Sequence, residues 1–548
     1  MKPSRKFAVA GGLALVPLLA GGFMLQSRQT QDNARLLEQV MQVVNARFVD
    51  TVSAAGLYEK AARGLVHELN DPYTVLFSPK DFTNFSTQTN GKYGGVGMQI
   101  GEVQGAITVD KVFPHTPAED AGVQEGDKII MVDTASTRGW KIDQVSNTLK
   151  GTPGTQVNVQ FSRPGQTQPI KVRLTRREIH IPAVPYAMML DGKVGYVPLL
   201  QFSETAAPEL QDAMQSLVKQ GAKGIVLDFR GNPGGILDQA IEMSNLFLKP
   251  GQEIVSVRGR NQAPQVTSAE AQPTVPTLPI VILTDGGTAS AAEIVAGALQ
   301  DHDRAAIVGT TSYGKGLVQT LYPLDGGYAL KMTTAKWYTP SGRSIQRERK
   351  VVDGRFVPEE APDSLEADSV KKSRPAYKSD AGRVIYGGGG ITPDVIVKPD
   401  TISTVEQTFA KTLFGPKLQD VNNALAGLAS DLKPQVAGNP SFTVKPEWRE
   451  DFYKRLTAAG VPIDRKQFEG AQGYVDRLID FRVARSAFGD STAKRHEISD
   501  DVQLRRAMSL VQRASSQKDL LAMAEREQRT ASAAEARTAA GTVAAAQK

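Results

Sequence analysis

The sequence predicts a multidomain α+β protein: an α/β core, a smaller β-rich module ahead of it, and helical regions at both ends. Three observations carry this. Short apolar runs such as residues 224–230 and 280–283 end in glycine turns and lead into helical patterns. Residues 91–176 show short strand patterns punctuated by glycine. Residues 30–70, and stretches such as 474–484, carry apolar residues at three- and four-residue steps. A chain of 548 residues has room for roughly three or four domains.

Composition removes several chemistries. The chain has no cysteine, which excludes disulfides, thiol nucleophiles and cysteine-bound metals. Its five histidines, His67, His115, His180, His302 and His496, form no His-Glu-x-x-His pattern, so a zinc hydrolase is not expected. A formal charge of +6 is small for this length, and no basic cluster interleaves with aromatics, so no nucleic-acid partner is expected.

At the N-terminus, Lys2, Arg5 and Lys6 precede the uncharged run 7–25, which at 19 residues is about long enough to span a bilayer. We read residues 1–29 as a signal-anchor left uncleaved, in preference to a cleaved signal, with the bulk of the chain outside the cytoplasm. Residues 30–90 follow as a helical region, in which Leu37, Val40, Val43 and Val44 share a face and Asp71-Pro72-Tyr73 closes the helical pattern.

In residues 91–176, Gly94-Gly95-Val96-Gly97-Met98 opens the segment, strand patterns lie at 106–113 and 156–161, and Pro117 to Val123 leads to Gly126-Asp127-Lys128-Ile129-Ile130. This ordered series resembles a PDZ domain. The resemblance implies an extended peptide tail added to a sheet edge, its carboxylate held at Gly95, Val96, Gly97 and Met98 by converging N–H groups.

The core occupies residues 177–400, with a polar, proline-containing insertion expected to be mobile at about 348–382. A strand at 194–197, a helix at 205–220 and a buried strand at 224–230 run into Gly231-Asn232-Pro233-Gly234-Gly235. From pattern alone that turn is a tight connection. A second strand, 280–283, breaks at Asp285-Gly286-Gly287 and becomes helical from Ala291, so Ser290 stands where a helix begins. Such a serine either caps the helix or acts as a nucleophile beside free N–H groups and a positive dipole end. A strand at 305–308 then leads to a glycine-bracketed loop carrying Lys315.

The wording of these stretches resembles the C-terminal processing peptidases, or tail-specific proteases, Ser–Lys dyad serine peptidases with a PDZ domain. The matching residues are Thr288-Ala289-Ser290-Ala291-Ala292-Glu293-Ile294, then Ala296-Gly297-Ala298-Leu299-Gln300-Asp301, then Gly314-Lys315-Gly316-Leu317-Val318-Gln319. Thr288 and Ala292 replace serines common in that motif, leaving Ser290 its only serine. The spacing of 25 positions between Ser290 and Lys315 also fits. The likeness spans about residues 30–400 and implies a PDZ domain plus α/β peptidase core, with a small helical N-terminal region able to support dimer contacts.

The resemblance also implies roles. Lys315 takes the Ser290 proton, Ser290 forms an acyl-enzyme, and the N–H groups of Gly234 and Ala291 hold the oxyanion. Gln319 orients the lysine amine, which places it on the same side as Lys315 if that loop continues as a helix. Asp301 matches a family acid but reads as structural. A free lysine titrates near ~10.4, so Lys315 must be held largely neutral; a drop of about 3 units costs roughly 4 kcal/mol. No cofactor or metal is implied. The expected partners are proteins with exposed apolar C-terminal tails, the membrane through the anchor, and a second copy of the chain. The expected location is the bacterial periplasm or cell envelope.

Two rival readings remain open on the sequence. Gly309 to Lys315 fits most of a phosphate-loop pattern, but Gly316 lacks the hydroxyl that pattern needs next. A catalytically silent PDZ adaptor is the second. Beyond 400 no chemical motif appears; residues 401–548 read as a helical extension with an alanine-rich, frayed tail.

Overall fold

Strands Gly224–Asp228 and Ile280–Thr284 are buried along their whole length, because each lies inside a sheet covered on both faces. That sheet has six strands in the order Met188–Leu190, Val194–Pro198, Gly224–Asp228, Ile280–Thr284, Ala306–Gly309 and Val395–Ile396. The first pair is antiparallel and the rest are parallel. The computed structural model describes residues 35–530 apart from 104, 164–165, 276, 348, 353–354, 359–373 and 401–402.

Alternation along the strands sends neighbouring side chains to opposite faces. Ile225, Leu227 and Ile282 pack with Leu210, Met214, Met243, Val295 and Leu299 from helices Ala206–Lys219, Leu237–Asn245 and Ala291–Asp301. Val226, Val281 and Leu283 meet Leu504, Met508, Val511 and Leu520 instead. The second face is therefore covered by helix Val502–Arg513 and the helical residues 517–530. The last described part of the helical extension beyond 400 thus packs on the sheet and completes the core. Residues 404–497 form helices around their own core, including Phe409, Leu428, Trp448, Phe452, Phe468 and Ile479.

The β-rich module has the sheet order Met98–Val103, Ala106–Val112, Lys128–Val132, Gln156–Ser162, Ile170–Thr175, all antiparallel. Its core holds Val96, Val109, Ile129, Val145, Val157 and Phe161. Strand Lys92–Gly95 pairs with Arg177–His180 and ties the module's two ends together.

The chain forms two compact units: one comprises residues up to Phe82 with Gln319–Thr333, the other Thr83–Val318 with Thr334 onwards. Residues 319–333, which the sequence places within the core, thus cluster with the N-terminal residues. In the smaller unit, residues 35–47 and Ala54–His67 are helical, as expected, and Val75–Phe77 pairs antiparallel with Ala329–Lys331. Leu36, Leu37, Val40 and Val43 are exposed.

The anchor expected at 7–25 and the alanine-rich tail after 530 lie outside the described residues, as does part of the insertion expected at 348–382. The described parts of that insertion include the paired strands Arg349–Val352 and Arg355–Pro358. Among the described residues no helix is long and apolar enough to cross a membrane.

Candidate active site

The loop from strand Ile280–Thr284 to Ser290 is fastened to its neighbour rather than left free. Asp285 Oδ1 accepts the N–H of Gly231 and Gly287, each at 2.9 Å, and the buried Thr288 hydroxyl donates to the Phe229 carbonyl at 2.8 Å. The Ala289 N–H donates to the Asn232 carbonyl at 2.9 Å. These bonds hold the serine loop against the turn after Gly224–Asp228. Ser290 itself adopts φ 55° and ψ −116°. A non-glycine residue with positive φ costs on the order of 1–3 kcal/mol and persists only where its surroundings impose it.

Ser290 is the N-cap of helix Ala291–Asp301 by position, yet its hydroxyl makes no capping hydrogen bond. The bond that is made is the reciprocal half of a capping box, from the Ser290 N–H to the Glu293 carboxylate at 2.8 Å. Every residue of that helix is buried, and among the described residues the Ala291 N–H has no acceptor. An unpaired donor at a helix N-terminus favours negative charge beside it.

Gly234 sits against the same serine. A Cβ there would lie 2.6 Å from the Ala289 carbonyl oxygen, 2.8 Å from the Ala291 nitrogen and 2.8 Å from Ser290 Cβ, and φ is +92°. Only glycine permits this approach. The Gly234 N–H, however, donates to Asn232 Oδ1 at 2.9 Å, while Asn232 Nδ2 donates to the Leu199 carbonyl at 2.8 Å. In this state the donor assigned by resemblance to the oxyanion is engaged within its own turn.

Glu293 organises the rest. Its fully buried carboxylate accepts the N–H of Ser290 at 2.8 Å and of Lys315 at 2.9 Å on Oε2. Its Oε1 accepts the Gly314 N–H at 2.7 Å and the Ser312 hydroxyl at 2.5 Å. Burial pushes this carboxyl above its ordinary range, and those four donors oppose the rise. Further ties complete the lysine loop: Tyr313 N–H to the Thr288 carbonyl at 2.9 Å, and the indole N–H of buried Trp337 to the Lys315 carbonyl at 3.1 Å. Lys315 is half-buried. Gly314, at φ +83°, has Arg347 Cβ within 2.8 Å of where a Cβ would stand.

In the β-rich module, Gly95 ends strand Lys92–Gly95 and Met98 begins Met98–Val103, with Val96 and Gly97 between. The Val96 carbonyl accepts from Ala118 and that of Gly97 from Phe113, both at 2.9 Å. Among the described residues the N–H groups of Val96 and Gly97 have no acceptor. Val96 and Met98 bury their side chains in the module core.

The sequence matches the family model for peptidase family S41 over residues 193–353, a PDZ domain over 108–163 and the activating protease CtpB N-terminal domain over 24–80. It is 36% identical over 348 residues to the carboxy-terminal-processing protease of Bartonella bacilliformis, covering 62% of this chain and 79% of that protein. The chain belongs to peptidase family S41. It is also 36% identical over 312 residues to the carboxy-terminal processing protease CtpA of Bacillus subtilis (strain 168), covering 57% of this chain and 66%, just under two thirds, of that protein. Among solved structures, a photosystem II D1 C-terminal processing protease shares 27% identity, with 69% of this chain and 90% of that chain covered at a TM-score of 0.35.

Two S41 motif residues take places the sequence did not fix. Gln319 lies in strand Leu317–Pro323, not in a helix, and its amide donates to the Tyr73 carbonyl at 2.5 Å within the smaller unit. Asp301 accepts from the fully buried Arg343 at 2.7 Å and from the Ser341 N–H at 3.0 Å, which makes it structural as read.

Arg230, Asn232, Asp285 and Glu293 were missed. Glu293 was within reach, because Ser-x-x-Glu before an apolar run is a capping-box pattern. Arg230 opens the Gly234 turn and gives all five N–H groups away: to Asp228, Asp501 and Gln503, at 2.6–3.0 Å. Asp501 also receives Lys494 at 2.8 Å. Burial alone would raise the Asp501 carboxyl, but Arg230 and Lys494 outweigh it and hold it well below the ordinary range.

Proposed function

We propose that this chain is a serine endopeptidase that recognises apolar, unstructured C-terminal tails and cuts the proteins bearing them. The observation that carries this reading is the shared acceptor: Ser290 and Lys315 present their main chains to one carboxylate oxygen, at a strained helix N-terminus with a free N–H beside it. The PDZ loop, with two free N–H groups at the edge of a sheet, supports recognition of a terminal carboxylate.

In this mechanism the Lys315 amine accepts the Ser290 hydroxyl proton as Oγ attacks the peptide carbonyl carbon. The carbonyl electrons move to the oxygen, which the Ala291 N–H receives. The Gly234 N–H joins it by exchanging Asn232 Oδ1 for the oxyanion. Collapse expels the amine, which takes the proton from Lys315 and leaves an ester on Ser290. Water, deprotonated by the same lysine, then hydrolyses that ester. Gln319 as the amide that steadies the lysine belongs to the same proposal; Gln319→Ala should slow turnover without abolishing it.

The reading extends to location and assembly. Residues 7–25 would anchor the chain with its bulk in the bacterial periplasm or cell envelope, and a second copy is a possible partner. A loosely folded protein ending in an apolar tail tests the central part. Wild type should digest it without metal or nucleotide, and amidation of its carboxylate should slow cleavage. Binding without cleavage would leave a tail-binding adaptor.

A further inference from the structure

We propose that Gln419, from the helical region beyond residue 400, ends the peptide groove of the PDZ module, so that the groove reads only about the last four residues of a tail. This deepens the tail-recognition reading above and rests on it.

Strand Met98–Val103, which follows the Gly95–Gly97 loop, is one of the two edges of the module's sheet, Ile170–Thr175 being the other. The first forms a hairpin with Ala106–Val112 in which Val103 pairs with Ala106 across a two-residue connection. In such a hairpin the closing pair exchanges both backbone hydrogen bonds, and bonded and non-bonded pairs then alternate. Gly101 opposite Thr108 is therefore bonded, whereas Glu102 opposite Ile107 is not. The register shift at Gln99/Ile100 skips Asp110, so the extra residue is on the partner strand and the edge strand keeps its alternation. Met98, Ile100 and Glu102 accordingly turn their N–H and C=O groups outward, as three successive rungs for an added strand.

The last rung is already taken. Gln419 Nε2 donates to the Glu102 carbonyl at 2.6 Å. Gln419 lies in the first turn of helix Leu418–Val436, which packs against the edge strand. Fourteen residues on, about 21 Å along a helix axis, Lys433 Nζ is 4.0 Å from Glu125 Oε2. Glu125 precedes Gly126 and Asp127, which bond to Val109 on the next strand. The helix thus runs from Glu102, at the far end of the strand, toward Glu125, and among the described residues Met98 and Ile100 make no hydrogen bond outside the sheet. Lys111 to Asp490 at 2.7 Å fastens the same two regions.

A tail whose carboxylate sits on the Val96 and Gly97 N–H groups would place its last residue opposite Met98 and the residue two before it opposite Ile100. The residue four before the end would need the acceptor that Gln419 occupies, so the chain must leave the sheet there. Selectivity then resides in the last four side chains, and upstream sequence is free.

The test uses the full chain carrying Ser290→Ala, which prevents cleavage, and fluorescent peptides with free carboxylates and tails of three to eight residues. Affinity should rise with length to about four residues and then stay flat. Adding Gln419→Ala, an exposed position whose change leaves the fold intact, should let affinity climb further, by roughly fivefold for one added hydrogen bond. Gln419→Glu, which removes the donor, should behave like Gln419→Ala. The same length dependence with and without Gln419 would overturn the end-stop alone. Failure of every peptide to bind would overturn the tail-recognition reading, and the end-stop with it.

Discussion

The main-chain N–H groups of Ser290 and Lys315 donate to the same oxygen, Glu293 Oε2, at 2.8 and 2.9 Å, so the two nitrogens can be no farther apart than about 5.7 Å. Two residues 25 positions apart in the chain are held together by a buried acid between them. Glu293→Gln keeps the shape but turns one oxygen into a donor facing donors. We expect kcat/KM to fall by roughly 10–100-fold, since hydrogen bonds to a charged group contribute about 1.5–3 kcal/mol. The thermal midpoint should fall as well. Steady-state kinetics and a thermal melt check both.

Ser290 holds a positive φ of 55°. Ser290→Gly should relieve a positive φ, raising stability by roughly 1 kcal/mol while removing peptidase activity. Denaturant unfolding of variant and wild type measures it. Ser290→Ala, which keeps the side-chain penalty, should remove activity with little gain in stability.

Gly234→Ala places a methyl 2.6–2.8 Å from three atoms of the 289–291 segment, at a φ only glycine tolerates. Displacing the Ala291 N–H should cost on the order of 10²-fold in kcat, with a much smaller change in KM, because the contact matters chiefly in the transition state. Single-turnover kinetics separate the two.

Asp501 predicts a pH dependence. Its carboxyl is depressed in the folded chain, so the stability it contributes is present above its unfolded pKa, near ~3.9, and is lost as pH falls below that value toward the lower folded one. Asp501→Asn should destabilise the protein at neutral pH by roughly 3–5 kcal/mol, since it leaves Arg230 without one of its two carboxylates. The gap between variant and wild type should narrow in acid. Unfolding curves at pH 7 and at pH 3 test the sign.

The local units were legible because each is written in a short stretch. Strand 280–284, its glycine break and helix 291–301 follow from apolar runs, breakers and helical spacing read within a few residues. The strands of the β-rich module emerged within one or two residues of their expected places for the same reason. Ser290 and Lys315 are singled out through motif wording. What brings them together is not, because Glu293 acts on residues 312–315 through folding, across a gap no pattern spans. Gln319 is placed beside Lys315 only on the condition that the loop continue as a helix, whereas residues 317–323 form a strand. The covering of the sheet by residues 502–524 was invisible for a different reason. A parallel sheet demands a second covered face, but nothing in its strands names the distant helix that supplies it.

The most direct test of the central claim is mass spectrometry of the enzyme quenched in acid during turnover of a tailed protein substrate. The dyad account predicts a substrate-derived acyl mass on the peptide containing Ser290, present in wild type and absent from Ser290→Ala and Lys315→Ala. Cleavage that persists in Ser290→Ala, or an adduct on any other residue, would contradict it.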